Sequence, residues 1–162
     1  VSFSRRSDQG AEERVGLLRL HSVTVIPPGS AGHPYAEALA FFAALGLENG
    51  QAHILRNAGG VITDDVIRSL AISQRRLGTE EIMLIHHTDC GLQLITDDGF
   101  RAELQEATGM APSFAIESFT DIDADVRQSI ARVRHSPFLL HRDRVCGLVY
   151  DVDTGVLRQV EP

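Results

Sequence analysis

The chain alternates between short apolar runs and longer stretches in which apolar residues return every three or four positions. Ser22-Val23-Thr24-Val25-Ile26 is the first such run, and Pro27-Pro28-Gly29 stops it, which predicts a strand followed by a loop. Over 33–45, Tyr35, Leu39, Phe42 and Leu45 fall at helical spacing, with Gly46 as a stop. Ala52-His53-Ile54-Leu55-Arg56 predicts a second strand that runs into Asn57-Ala58-Gly59-Gly60. The clearest helix covers 64–77: Thr63 caps it, Asp64 and Asp65 suit its first turn, Ile62 can staple onto Ile67, and Gly78 ends it. Val66, Ile67, Leu70, Ala71 and Leu77 would form its apolar face. A third strand follows at 82–85, then a helix over about 97–107 and another over 121–134, with Ile122, Val126, Ile130 and Val133 on one side. The last strand is 145–150, followed by a turn at Asp153-Thr154-Gly155 and a short strand at 156–160.

This alternation predicts an α/β fold with a mostly parallel central sheet flanked by helices. In such folds ligands lie outside the carboxyl ends of the strands. Two stretches qualify, Arg56-Asn57-Ala58-Gly59-Gly60 and His86-His87-Thr88-Asp89-Cys90-Gly91. No repeat, low-complexity tract or linker interrupts the 162 residues, so 1–162 is expected to be a single domain. Residues 1–20 would form an N-terminal arm, expected to be poorly ordered.

Charge narrows the function. The net charge of −7 argues against nucleic acid and anionic membranes as partners. All 15 basic residues are Arg, which excludes Schiff-base lysine chemistry and a phosphate-loop lysine. No apolar run approaches the roughly 20 residues of a membrane span. Val1 to Glu13 lacks the apolar core of a secretory signal, so a cytoplasmic location is expected. Cys90 and Cys146 are too few for a disulfide framework; Cys146, inside an apolar strand, reads as a structural thiol.

The chemistry lies in His87-Thr88-Asp89-Cys90. Imidazole and thiolate separated by two residues, in a turn after a buried strand, can take one zinc-type ion. The bland alternative is a solvated histidine beside a buried cysteine. His86 should alternate to the other side of the strand, as a packing or supporting group. Asp89 reads as a solvated carboxylate, with orientation of a ligand as the alternative. The glycines of Asn57-Ala58-Gly59-Gly60 permit a tight turn and a close backbone approach, and equally a plain strand-to-helix connection.

Together Ala52-His53-Ile54-Leu55-Arg56-Asn57-Ala58-Gly59-Gly60, Asp64-Asp65-Val66-Ile67-Arg68-Ser69-Leu70-Ala71-Ile72-Ser73, His86-His87-Thr88-Asp89-Cys90-Gly91 and Val149-Tyr150-Asp151-Val152-Asp153-Thr154-Gly155 resemble β-class carbonic anhydrases. The resemblance runs over about 44–160 in the family's order and spacing. It is greatest to short bacterial forms, a group that includes hydrolases of carbonyl sulfide and carbon disulfide. It implies a zinc enzyme, homodimeric or a dimer-based oligomer, that interconverts carbon dioxide and bicarbonate or acts on a carbonyl sulfide-like molecule. It also implies that Asn57, Gly59, Gly60 and Gly91 shape the substrate side.

The family's zinc is held by two cysteines and a histidine; His87 and Cys90 match the second and third of these ligands. The first cysteine belongs to a Cys-x-Asp-x-Arg motif, which this sequence lacks. Counting back from Arg56 places Pro34, Ala36 and Ala38 at the motif positions, whereas matching strand to strand places Pro27, Gly29 and Ala31 there. Genuine divergence across 20–41, a shifted reading frame, or a changed site would each produce this pattern. His33 and His21 are the candidate replacement ligands, a chemically reasonable exchange for zinc. With one thiolate and the Asp-Arg pair gone, zinc is expected to be weak or substoichiometric and hydration impaired. The rival reading is a non-catalytic scaffold or binding homologue without the metal site. Cysteine nucleophilic chemistry at Cys90 with His87 is weaker still, for want of an orienting group.

Overall fold

The computed structural model describes residues 22–26, 45 and 52–161, the first five by their backbone. Its centre is a sheet of β1 (Ser22–Ile26), β2 (Ala52–Arg56), β3 (Glu81–His87), β4 (Val145–Tyr150) and β5 (Leu157–Val160), in the order β2-β1-β3-β4-β5. β1 pairs in parallel with β2 and β3, and β3 with β4. Only β5 is antiparallel, against β4. The mostly parallel sheet is therefore as expected, with a mixed edge.

Local chemistry makes that edge. The Asp151 carboxylate accepts from the Asp153 and Thr154 amides at 3.1 and 2.8 Å, and Gly155 turns with φ 70°. This Asx turn reverses the chain within a few residues, which a parallel crossover cannot do.

Among the described residues, three α-helices of a full turn or more flank the sheet: α1 (Asp64–Ile72), α2 (Asp97–Thr108) and α3 (Ile122–His135). Thr63 caps α1, its hydroxyl accepting from the Val66 amide. Asp121 caps α3, accepting from Asp123 and Ala124 at 2.9 and 3.0 Å.

The single helix expected over 64–77 requires a correction. After Ile72 the coil widens into a π turn, Ser73–Leu77, closed by Gly78 at φ 72°. A π turn spreads each turn over more residues, so later positions rotate away from the apolar face. Leu77, expected on that face, is 59% exposed. Ser73 and Gln74 point inward instead, and both find polar partners. The Ser73 hydroxyl sits 2.7 Å from His53 Nδ1 and 2.9 Å from the Thr79 hydroxyl. Gln74 accepts from the Leu140 and His141 amides and donates to the His141 carbonyl, at 2.8, 3.2 and 2.9 Å.

Strand alternation sorts the core. Ile82 and Leu84 of β3 pack with Val66, Leu70, Val126, Ile130 and Val133 of α1 and α3. Ile85 and Leu148 face the other way, beside Ile54, Met83, Tyr150 and Leu45. Leu45 is the described residue of the helix expected over 33–45, and it is helical. The remainder of that helix, the 1–20 arm, the Pro27-Pro28-Gly29 stop, His21 and His33 lie outside the described residues.

Candidate metal centre

β3 runs two residues further than its apolar pattern indicates. His86 pairs with Val149 and His87 with Tyr150, so both imidazoles belong to the strand and the turn begins only at Thr88. The expected end at Ile85 is thus corrected. Parallel ladder bonds to β4 carry the strand onward after its hydrophobicity has ended. The alternation expected of the two histidines then follows from the pleat.

His86 is 0% exposed on the α3 face. Its Nδ1 lies 3.2 Å from Asp125 Oδ2 of α3, and its ring is 5.9 Å from the Phe119 ring, tilted by 44°. Both ring nitrogens and Asp125 Oδ2 are buried without a hydrogen-bond partner, because the 3.2 Å approach is out of line. Burial pushes the His86 pKa down to about 4, with the Gly60 backbone opposing and His87 assisting. Burial likewise pushes Asp125 up to about 6, raised further by Glu117 and opposed by Arg132. At neutral pH the imidazole is uncharged, so this is a supporting group of the kind expected for His86.

His87 is 5% exposed, on the opposite face of β3. Its Nδ1 donates to the Thr88 carbonyl at 2.6 Å. In a neutral imidazole that bond places the lone pair on Nε2, the tautomer that a metal-ligating histidine needs. Cys90 follows three residues on and is buried, packed with Val61 and Phe119. Asp89 between them is exposed with φ 55°, in the left-handed region. Its carboxylate faces solvent, in keeping with the solvated reading, while its backbone makes the turn.

The second predicted turn meets the first. Ala58–Gly60 form a single 3₁₀ turn after β2. Gly59 has φ 77°, and a Cβ there would meet Leu92 Cδ1 at 2.9 Å and Phe119 Cε1 at 3.4 Å. Glycine is required by both the backbone and the space. Asn57 donates to the Val61 carbonyl at 2.8 Å, and its Oδ1 is buried without a partner. Gly91 is exposed, and a Cβ there would meet nothing within 4 Å.

The donor chemistry fits zinc in kind, imidazole with a soft thiol. Among the described residues, no group of three His, Cys, Asp or Glu comes together that could hold a metal ion. Three other described histidines have different occupations. His53 bonds Ser73, His135 bonds the Ala131 carbonyl at 2.7 Å, and the His141 backbone is held by Gln74. The half-buried Cys146 thiol is pushed up to about 11 by burial, as a structural thiol would be.

Sequence reasoning missed Asp125, Thr88 and Phe119. Asp125 carried a legible signal: it lies three residues after Ile122 and four before Ser129, on the flank of the α3 apolar stripe. Phe119, in an irregular segment, carried none.

Comparison with known proteins places the sequence and the fold. No family model matches the chain. Over 118 residues it is 53% identical to β-carbonic anhydrase 1 of Mycobacterium tuberculosis, covering 73% of this chain and 72% of that protein. It is 33% identical over 135 residues to a carbon disulfide hydrolase of Acidithiobacillus thiooxidans, covering 71% and 68% respectively. A crystal structure of carbonic anhydrase from Streptococcus mutans superposes with a TM-score of 0.76 at 40% identity, covering 93% of this chain and 92% of that one. With this identity and coverage, the chain belongs to the β-carbonic anhydrase family.

Proposed function

We propose that this chain is a zinc protein built for the reversible hydration of carbon dioxide to bicarbonate, with the reaction impaired by loss of the Cys-x-Asp-x-Arg motif. The observation that carries the reading is the His87 imidazole at the end of β3, its Nδ1 engaged by the Thr88 carbonyl at 2.6 Å, three residues before a buried Cys90. His87 Nε2 and Cys90 Sγ would hold the ion, and His33 or His21 would supply a third ligand. When bound, zinc supplies Lewis-acid chemistry.

The chain's own contribution is shape and exclusion of water. Gly59 and Gly60 bring backbone close to the cysteine turn, while Val61, Leu92 and Phe119 dry its surroundings. Asn57 offers a buried carbonyl oxygen beside them. A two-donor set plus one substituted ligand binds zinc weakly, and without the Asp-Arg pair nothing orients the attacking group. The molecule is proposed to be one cytoplasmic domain, homodimeric or a dimer-based oligomer. Carbonyl sulfide-like molecules are an alternative substrate, given the resemblance to a carbon disulfide hydrolase.

Metal analysis of purified protein, paired with stopped-flow carbon dioxide hydration, tests this reading. Less than one zinc per chain and very slow or absent hydration are expected. One tightly held zinc with rapid turnover would overturn the impairment; His33→Ala and His21→Ala would then identify the third ligand by loss of zinc. A zinc-bound crystal structure with Nε2 and Sγ more than about 5 Å apart would remove the site altogether. The scaffold reading draws on the missing motif itself. It predicts no zinc retention at any concentration that leaves the protein folded.

A further inference from the structure

The residue between strand and turn has all of its polar groups committed. The Thr88 amide donates to the Tyr150 carbonyl at 2.9 Å, one step beyond the last β3–β4 pair. Its hydroxyl accepts from the Val152 amide at 3.0 Å. Its carbonyl receives His87 Nδ1 at 2.6 Å. The first two bonds fix the residue at both its backbone and its side chain against the segment leaving β4. The direction of its carbonyl is thereby set, and with it the position of the His87 proton.

We infer that Thr88 is a positioning residue: by bonding its hydroxyl to the Val152 amide, it holds the carbonyl that keeps the His87 imidazole in the Nδ1–H tautomer. This inference rests on the reading of His87 as a zinc ligand and adds what prepares that ligand before any ion arrives. The alternative tautomer would place a hydrogen on Nε2, where the ion must bind. Preparing the lone pair in advance removes a rearrangement from binding, as partners behind a ligating histidine do elsewhere, where their loss costs 10–100-fold in affinity.

The test uses the full chain, stripped of metal by chelator, at pH 8. Long-range ¹H–¹⁵N correlation spectra read each imidazole's tautomer. Thr88→Val keeps the branched shape and removes the acceptor, whereas Thr88→Ser keeps the acceptor. In the wild type and in T88S, His87 is expected as the Nδ1–H form; in T88V it should become a mixture, while His53 and His135 do not move. Zinc affinity, measured by chelator competition, should fall about 10-fold or more in T88V and return in T88S. A T88V spectrum with His87 unchanged overturns the inference and leaves the zinc reading standing. A redistributed tautomer in T88V, beside a wild-type chain that binds no zinc, overturns the zinc reading instead and leaves the tautomer inference standing. If T88V shifts all the histidines together, the hydroxyl holds the fold rather than His87, and the inference also falls.

Discussion

His86 Nδ1 and Asp125 Oδ2 stand 3.2 Å apart across the contact between β3 and α3, and neither has a hydrogen bond. Two ionisable groups are thus placed in the dry interior immediately behind β3. Burial disfavours the charged form of each, lowering the histidine to about 4 and raising the aspartate to about 6. The consequence for Asp125 is measurable. Its folded pKa lies above the ordinary 3.8, so its contribution to stability is fully present below about pH 3.8 and is lost as pH rises through about 6. Asp125→Asn should therefore stabilise the protein at pH 8, by up to about 3 kcal/mol, and change little at pH 4. Urea unfolding at the two pH values checks this. Equal effects at both would show that the carboxylate is not held in a raised state.

Gly147 of β4 lies directly beneath α3. A Cβ at that position would meet Val126 Cγ1 at 2.3 Å and Ile130 Cδ1 at 2.9 Å. Val126 is β-branched and fully buried, so it has no alternative rotamer to escape into. Gly147→Ala should cost about 1–3 kcal/mol by pushing the helix off the sheet. The measurement is the denaturation midpoint. A midpoint equal to wild type would mean that α3 shifts freely, and the close helix–sheet contact would then be a weak constraint.

Much of this architecture was legible because the apolar period changes between strand and helix, and because Thr63, Gly78 and Asp121 mark ends by local chemistry. The strand order β2-β1-β3-β4-β5 is not written in any such period; it arises from pairing between distant segments. The extension of β3 over His86 and His87 was missed for the same reason, since two imidazoles look like the end of a buried run. His87 and Cys90 stand out in the sequence because donor types at that spacing are uncommon after an apolar strand; what the structure adds is their burial. Thr88 and Asp125 act through partners 64 residues and 39 residues away along the chain, Val152 and His86, and spacing carries no record of such contacts.

Gln74 makes a prediction of a local kind. Its side chain accepts from two amides and donates to one carbonyl of the Leu140–His141 segment. It is buried by the π turn, so water cannot take its place readily. Gln74→Met keeps the volume and removes all three bonds, which should cost about 2–3 kcal/mol. Hydrogen exchange should locate the damage, with the Leu140 and His141 amides losing protection before those of β3. Uniform loss across the sheet would show instead that the π turn is a global support.

Asp89 separates two roles that a single residue could play between His87 and Cys90. Its φ of 55° is a conformation that costs most residues about 1 kcal/mol or more, and Asp and Asn tolerate it better than others. Its side chain is exposed. If the backbone is what matters, Asp89→Asn and Asp89→Gly should keep zinc affinity within about 2-fold. Asp89→Val, β-branched and poorly suited to positive φ, should destabilise the protein by about 1–3 kcal/mol and weaken zinc with it. If the carboxylate orients a ligand, Asp89→Asn alone should lower affinity by 10-fold or more while leaving stability unchanged. Chelator competition and thermal unfolding on the three variants distinguish these outcomes. A loss of zinc in Asp89→Asn would assign the carboxylate a direct part in holding the site, and the turn would then owe its aspartate to the metal rather than to the bend.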